Sequence, residues 1–544
     1  MFPLSLPMPD LPNPSLDSLE LLLAHPLWPR VGMLLRLLFH AGFAGLLFRF
    51  GRQMRREAMV PAKAYWPSVL SLFGGVFLCV LAVRQADWQL MGQRNERFLA
   101  FMQRYDRREF NPAHRFRAGR ITDRKGRTLA GSRVTEGGIR RIYPYGPVFS
   151  HVIGYNHPLY GMTGLESAGR NRLMRGSLRT REDLAHFGAA LLDREGHTEG
   201  PPLTSTLDVD LQLLAHTLLE GQRGAVVFLD VRTGDILALV SRPEFDPNRL
   251  HPRLFSGQAE GSPLLNRSLA GLYPPGSVFK ILVAAAALNE GFTGTLDTPA
   301  DGFTTSPANP RIRDHDYYIA RRAGREWRGH GRIGLAKALA KSSNVFFAQL
   351  GIQTGAEALT DAMDAVGMLS RFTLSERPEA TLTQGPARLG ALSDDRPYGI
   401  AQFSIGQGDL LVSPMQIAML TVALARGGET VFPRIDLAQP VRTGRRLCSE
   451  EHAAALRWMM RRAVTEGTGR GAQIPEITVA GKTGTAQTGA GRESHSWFTG
   501  FAPSEDPMWA FAVIVEHGGY GSRAAVPLVR QMLQTAVQEG WLVP

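Results

Sequence analysis

Ser277 and Lys280 stand three residues apart in Ser277-Val278-Phe279-Lys280. A hydroxyl beside an amine that can lose its proton is a nucleophile beside its base. The chain has six lysines against fifty-five arginines. Arginine stays protonated at any working pH, whereas a buried lysine can deprotonate and accept a proton. Two of the six lysines sit where such an amine would be needed: Lys280, and Lys482 in Lys482-Thr483-Gly484-Thr485. A third polar cluster is Lys341-Ser342-Ser343-Asn344.

These side chains need elements to hold them. Tyr273-Pro274-Pro275-Gly276 is a turn signal. Residues 278–289 then read as an apolar, alanine-rich helix with Gly291 as its C-cap. Ser277 begins this helix, and Lys280 lies one turn along on the same face. Burial of so apolar a helix disfavours the ammonium form, and a second cation nearby disfavours it further. Taken alone, Ser-x-x-Lys is a weak signal, since a capping serine and a surface lysine give the same pattern. Its company strengthens it. A helical stretch over 333–340 delivers Ser342 and Asn344, and a strand over 477–480 delivers Lys482, with Gly484 expected to let a ligand approach the backbone.

The wider pattern predicts an α/β protein. Residues 208–219 read as an amphipathic helix. Two strands, 225–229 and 236–240, flank the turn Arg232-Thr233-Gly234-Asp235 as a hairpin. Further strands are expected at 496–501 and 509–515, with mostly helical sequence between the two sets. Strands at both ends of a domain with helices between imply an antiparallel sheet sandwiched by helices over 204–544. Residues 85–203 read as a stalk helix (to about 110) followed by a small accessory domain broken by Gly and Pro.

Residues 67–83 carry no charge and would span about 26 Å as a helix. Tyr65, Trp66 and Trp88 flank this run, and Arg49, Arg52, Arg55, Arg56 and Lys63 precede it. A transmembrane helix over 67–84 is therefore expected, with residues 1–66 cytoplasmic or interfacial and the rest exported. Residues 31–48 form a second apolar stretch that contains Arg36 and His40. It reads as an extra membrane helix or an interfacial one, the latter preferred because an Arg at mid-span is costly. The net charge of +12 comes without a dense basic run or RNA-binding signature, so no nucleic-acid partner is expected. No His or Cys cluster has ligand spacing, so neither metal nor other cofactor is expected. Cys79 and Cys448 are too far apart in context to suggest a disulfide.

At its three polar clusters the chain resembles the class B penicillin-binding proteins, the serine D,D-transpeptidases of peptidoglycan synthesis. The flanks agree: Tyr273-Pro274-Pro275-Gly276, Ser404-Ile405-Gly406-Gln407-Gly408 with Ser413-Pro414 in a later loop, and Trp497-Phe498-Thr499-Gly500-Phe501-Ala502-Pro503. Gly119-Arg120-Ile121-Thr122-Asp123-Arg124-Lys125-Gly126 and Gly161-Met162-Thr163-Gly164-Leu165-Glu166 resemble that class's pedestal, or dimerisation-like, domain. One departure is Ala118, where the family usually has Arg.

The resemblance implies a serine β-lactamase-like transpeptidase domain over 204–544 on a pedestal at 85–203. It implies Ser277 as nucleophile, Lys280 as base, Ser342 as proton relay, Asn344 as a partner of Lys280 and substrate, and Lys482 as a positive charge. Thr483 and Thr485 would bind the substrate's terminal carboxylate alongside Gly484, and the N–H groups of Ser277 and Thr485 would form the oxyanion hole. It further implies stem peptides as substrates, β-lactams as inhibitors, a place in the cytoplasmic membrane with the catalytic domain outside, and a glycosyltransferase partner of the SEDS family. A β-lactam sensor or a non-catalytic scaffold of a cell-wall synthesis complex is the alternative. No Glu-x-x-Leu-Asn, the water-activating motif of class A β-lactamases, is present.

Overall fold

The computed structural model describes residues 117–135, 138–173, 199–257, 259–374, 382–489 and 492–543, with isolated positions at 49, 52, 74–77 and 80–81. The expected N-terminal region 1–66 with its stretch 31–48, the stalk 85–110 and most of the expected helix 67–84 lie outside the described residues. Among the described residues no helix is long and apolar enough to cross a membrane. Cys448 is free and buried, and Cys79 is not described.

The first described domain is built on four short strands: β1 (Ile121–Thr122), β2 (Thr128–Thr135), β3 (Gly138–Ile142) and β4 (Leu203–Thr204). They lie in the order β3-β2-β1-β4, with β1 and β4 parallel and the other pairs antiparallel. Asp123 makes the β1–β2 turn by accepting the N–H groups of Lys125 (3.0 Å) and Arg127 (2.7 Å). Gly126 completes that turn at φ +83°, a conformation that favours glycine. The same turn reaches the next domain. Arg127 and Lys125 both pair with Asp208 and Asp210, at the start of α1 (Val209–Leu218), whose N-cap is Asp208.

At Ala118 a guanidinium from another strand reaches the backbone. Arg141 of β3 donates to Ala118 O (2.9 Å), Gly119 O (2.9 Å), Ser132 Oγ (3.1 Å) and Glu166 Oε1 (2.6 Å). Both charged side chains are almost wholly buried. Removing one partner of such a pair strands the other charge. Arg141→Ala is therefore expected to destabilise the domain by about 3–5 kcal/mol, read as a lowered thermal midpoint. Arg141→Lys should recover only part, because an ammonium cannot present the planar fork that meets these acceptors. A loss in Arg141→Ala below about 1 kcal/mol, the range of an exposed pair, would show that Arg141 does not hold this corner.

The larger domain centres on a five-stranded antiparallel sheet: β5 (Gly224–Asp230), β6 (Ile236–Arg242), β7 (Ala480–Ala486), β8 (His495–Ala502) and β9 (Trp509–Val515), in the order β7-β8-β9-β5-β6. The hairpin and the last two strands fall where the sequence predicts them. The strand expected at 477–480 instead begins at Ala480 and runs through Lys482-Thr483-Gly484, because pairing with β8 starts at Ala480↔Phe501.

Helices cover both faces. Ala225, Val227 and Leu229 of β5 join a core with α2 (Lys280–Asn289), α3 (Leu335–Lys341), α4 (Asn344–Thr354), α5 (Pro414–Ala425) and α6 (Glu450–Thr465). Val226 and Phe228 join the opposite core with α1 and α7 (Ala525–Gln538). A sheet covered on both faces needs apolar residues at consecutive positions, which is why β5 and β9 read as unbroken apolar runs. The helical stretch expected at 333–340 begins only at Leu335, since Ile333 pairs with Leu296 in a short strand. Ser413-Pro414, expected in a loop, starts α5 with a capping box between Ser413 and Gln416.

Candidate active site

The serine lies in a tight turn before the helix. Gly276–Phe279 forms one 3₁₀ turn and the α-helix α2 starts at Lys280. Gly276 has φ +55° and donates to Gly406 O at 2.8 Å. A Cβ on Gly276 would lie 2.7 Å from Thr485 O, and one on Gly406 would lie 2.1 Å from Gly276 O. Three backbones therefore converge behind Ser277, and only residues without a side chain allow it. Gly484 serves the same contact. Its Cβ would sit 2.9 Å from both Val278 Cγ1 and Trp497 Cβ. Glycine at 484 therefore has a packing reason of its own, since the serine turn and β8 fill the space a side chain would need.

Ser342 and Asn344 come from the junction of α3 and α4. Ser342 ends α3 in the left-handed region (φ 59°, ψ 36°), a C-terminal position where glycine is usual. The conformation is fixed from the far side. Ser343 caps α4, accepting from Phe346 N at 3.1 Å. Ser343 Oγ in turn donates to Asp314, which also accepts from Val345 N at 3.1 Å. Asn344 Nδ2 donates to Arg313 O at 3.0 Å, which turns its Oδ1 to Lys280. Sequence reasoning misses Arg313 and Asp314. They lie about thirty residues upstream, and no local spacing ties them to the cluster.

The two lysines meet at Ser342. Lys280 Nζ donates to Asn344 Oδ1 (2.7 Å) and Ser342 O (2.7 Å), with Ser342 Oγ at 3.4 Å. Lys482 Nζ donates to Ser342 Oγ (2.8 Å) and Thr483 O (2.9 Å). Both lysine side chains are fully buried. Desolvation pushes Lys280 down to about 7, against the opposing pull of Asp314. Desolvation, then repulsion from Lys280, pushes Lys482 well below the ordinary lysine range. The standing charge on Lys482 that the resemblance implies is therefore disfavoured by burial and by Lys280. Two amines around one hydroxyl hold their protons as a coupled pair.

Ser277 itself is half-buried, and among the described residues its hydroxyl has no hydrogen-bond partner. Thr485 Oγ1 accepts from Gly521 N at 3.4 Å. Thr483 Oγ1 lies 2.6 Å from Thr468 Oγ1. Among the described residues no group of His, Cys, Asp and Glu is placed to hold a metal ion. The arrangement offers a half-exposed hydroxyl on a rigid turn, an amine able to be neutral near pH 7, and a hydroxyl bridging that amine to a second one. That set can transfer an acyl group through a covalent intermediate.

Residues 224–534 match the penicillin binding protein transpeptidase domain, and 118–185 match the penicillin binding protein A dimerisation domain. The chain is 32% identical over 499 residues to peptidoglycan D,D-transpeptidase PbpA of Mycolicibacterium smegmatis, covering 85% of this chain and 95% of that protein. It is 31% identical over 443 residues to peptidoglycan D,D-transpeptidase MrdA of Acinetobacter baumannii, covering 71% and 64%. Among solved structures, the ceftriaxone acyl-enzyme complex of penicillin-binding protein A from Mycobacterium tuberculosis aligns with a TM-score of 0.68 at 29% identity, covering 78% of this chain and 99% of that one.

Proposed function

Because this chain belongs to the penicillin-binding protein transpeptidase family, we propose how its residues carry out peptidoglycan D,D-transpeptidation, the activity of a class B enzyme. Ser277 Oγ attacks the carbonyl of the penultimate D-Ala of a stem peptide, and its proton passes to neutral Lys280. The N–H groups of Ser277 and Thr485 stabilise the oxyanion, each by about 3 kcal/mol. As the C–N bond breaks, the proton returns through Ser342 to the departing amine, and D-Ala leaves. An amine of a neighbouring stem peptide then attacks the ester and gives its proton to Lys280, which passes it to Ser277 Oγ as the C–O bond breaks, so that serine and amine base are both restored. The observation that supports this reading most is the hydrogen-bonded chain Lys280–Ser342–Lys482, whose first member follows Ser277 by one turn, since it offers both a base and a return path for the proton.

Lys482 acts when substrate arrives. A terminal carboxylate held by Thr483 and Thr485 favours the charged form of the adjacent amine, and that charge helps keep Lys280 neutral. A β-lactam would acylate Ser277 in the same way. Residues 67–84 anchor the chain in the cytoplasmic membrane, with the pedestal (85–203) and catalytic domain (204–544) outside, beside a glycosyltransferase of the SEDS family.

The test is purified full-length protein with a donor ending in D-Ala-D-Ala and a second peptide bearing an acceptor amine. One D-Ala should be released per cross-linked product, and raising the amine concentration should suppress hydrolysis. Hydrolysis alone at every amine concentration would identify a carboxypeptidase instead.

A further inference from the structure

Thr468 belongs to none of the three motifs, yet it touches both the helix α3 and the strand β7 that carry two of them. Its N–H donates to Ala340 O at 3.3 Å, two residues before Ser342. The preceding Gly467 packs on that same carbonyl so closely that a Cβ there would sit 2.2 Å from it. Its hydroxyl lies 2.6 Å from Thr483 Oγ1 on β7. Thr483 is only 7% exposed, whereas Thr468 is exposed. The backbone of Thr468 is thus fastened to the helix that presents Ser342, and its side chain to the strand that presents Lys482.

The hydroxyl contact constrains proton direction. A hydroxyl has one proton to give. If Thr483 gives its proton to a carboxylate in the cleft, Thr468 has to donate the 2.6 Å bond. The result is a chain from Thr468 to Thr483 to the carboxylate, in which each bond polarises the next. The Glu466 carboxylate on the same loop is held by Arg462 at 2.6 Å.

We propose that Thr468 is a positioning residue for carboxylate recognition: its hydroxyl donates to Thr483 and so aims the Thr483 proton at the terminal carboxylate of the acyl donor. This rests on the transpeptidase reading. The role predicts a loss that depends on the substrate's charge rather than a general one.

The experiment compares acylation of the full-length protein by two peptide ester donors that differ only in a terminal carboxylate or carboxamide. Thr468→Val should lower kcat/KM for the carboxylate donor by about tenfold, the range of one hydrogen bond to a charged group. It should leave the carboxamide donor within about twofold, a change worth under 0.5 kcal/mol. Thr468→Ser, which keeps the hydroxyl, should restore the carboxylate donor. Equal losses with both donors, no loss with either, or failure of the Ser variant to recover would overturn the proposal. A wild-type protein acylated by neither donor would instead defeat the transpeptidase reading on which it stands.

Discussion

Replacing Ser277 with alanine is expected to abolish acylation by a fluorescent penicillin while leaving the protein folded. The reaction forms a bond to Ser277 Oγ, and the two serines of the neighbouring cluster already have their hydroxyls engaged. Ser342 Oγ is engaged by Lys482 at 2.8 Å and Ser343 Oγ is spent on Asp314. Loss of an activated nucleophile costs on the order of 10⁴–10⁶ in rate, which in a labelling experiment is no signal at all. The fold should not notice. Among the described residues the Ser277 hydroxyl has no hydrogen-bond partner, and the turn is fixed by the backbone contacts of Gly276 with Gly406 and Thr485. The thermal midpoint should therefore stay within the small range typical of substitutions away from packed or bonded groups. Undiminished labelling would place the nucleophile elsewhere. Lost labelling with a collapsed thermal midpoint would mean that the serine is structural.

What the sequence could reveal about this site was local. Ser277 and Lys280 share a helical turn, and that spacing is visible without a fold. Four of the five strands of the central sheet were legible because each carries an apolar run bounded by turn residues, whereas β7 (Ala480–Ala486), with Lys482, Thr483 and Thr485 inside it, has no such run and is placed by its pairing with β8. The missing parts come from contacts that no short window contains. Asn344 reaches Lys280 across sixty-four residues, and its amide is oriented by Arg313, thirty-one residues upstream. Ser342 adopts a left-handed backbone that serine rarely takes, so composition argues against the conformation that the two flanking helices impose. Gly484 invited a ligand-based explanation because the packing of Val278 and Trp497 against it depends on tertiary structure. Arg141 is a similar case: only the pairing of β2 with β3 brings its guanidinium to the backbone at Ala118.

Lys280→Arg is expected to lower acylation by about 10²–10⁴-fold, the usual contribution of a positioned general base, despite keeping a cation at the position. Guanidinium does not deprotonate in a protein, so it cannot take the Ser277 proton. The wild-type pH profile should show the same chemistry from the other side. Burial holds Lys280 at about 7, and the base is active only when neutral. The acylation rate should therefore rise as pH increases through about 7, gaining about tenfold between pH 6 and pH 8 for a single titrating base. The inflection belongs to the Lys280–Lys482 pair, because a proton on either amine raises the cost of one on the other. In Lys280→Arg the surviving rate should lose this rise, which separates missing base chemistry from a merely distorted cleft. A distorted cleft with Lys280's role carried by another group would retain the inflection at a lower plateau. Near-normal turnover in the arginine variant, or a wild-type rate that falls as pH rises from 6 to 8, would remove Lys280 from the role of base.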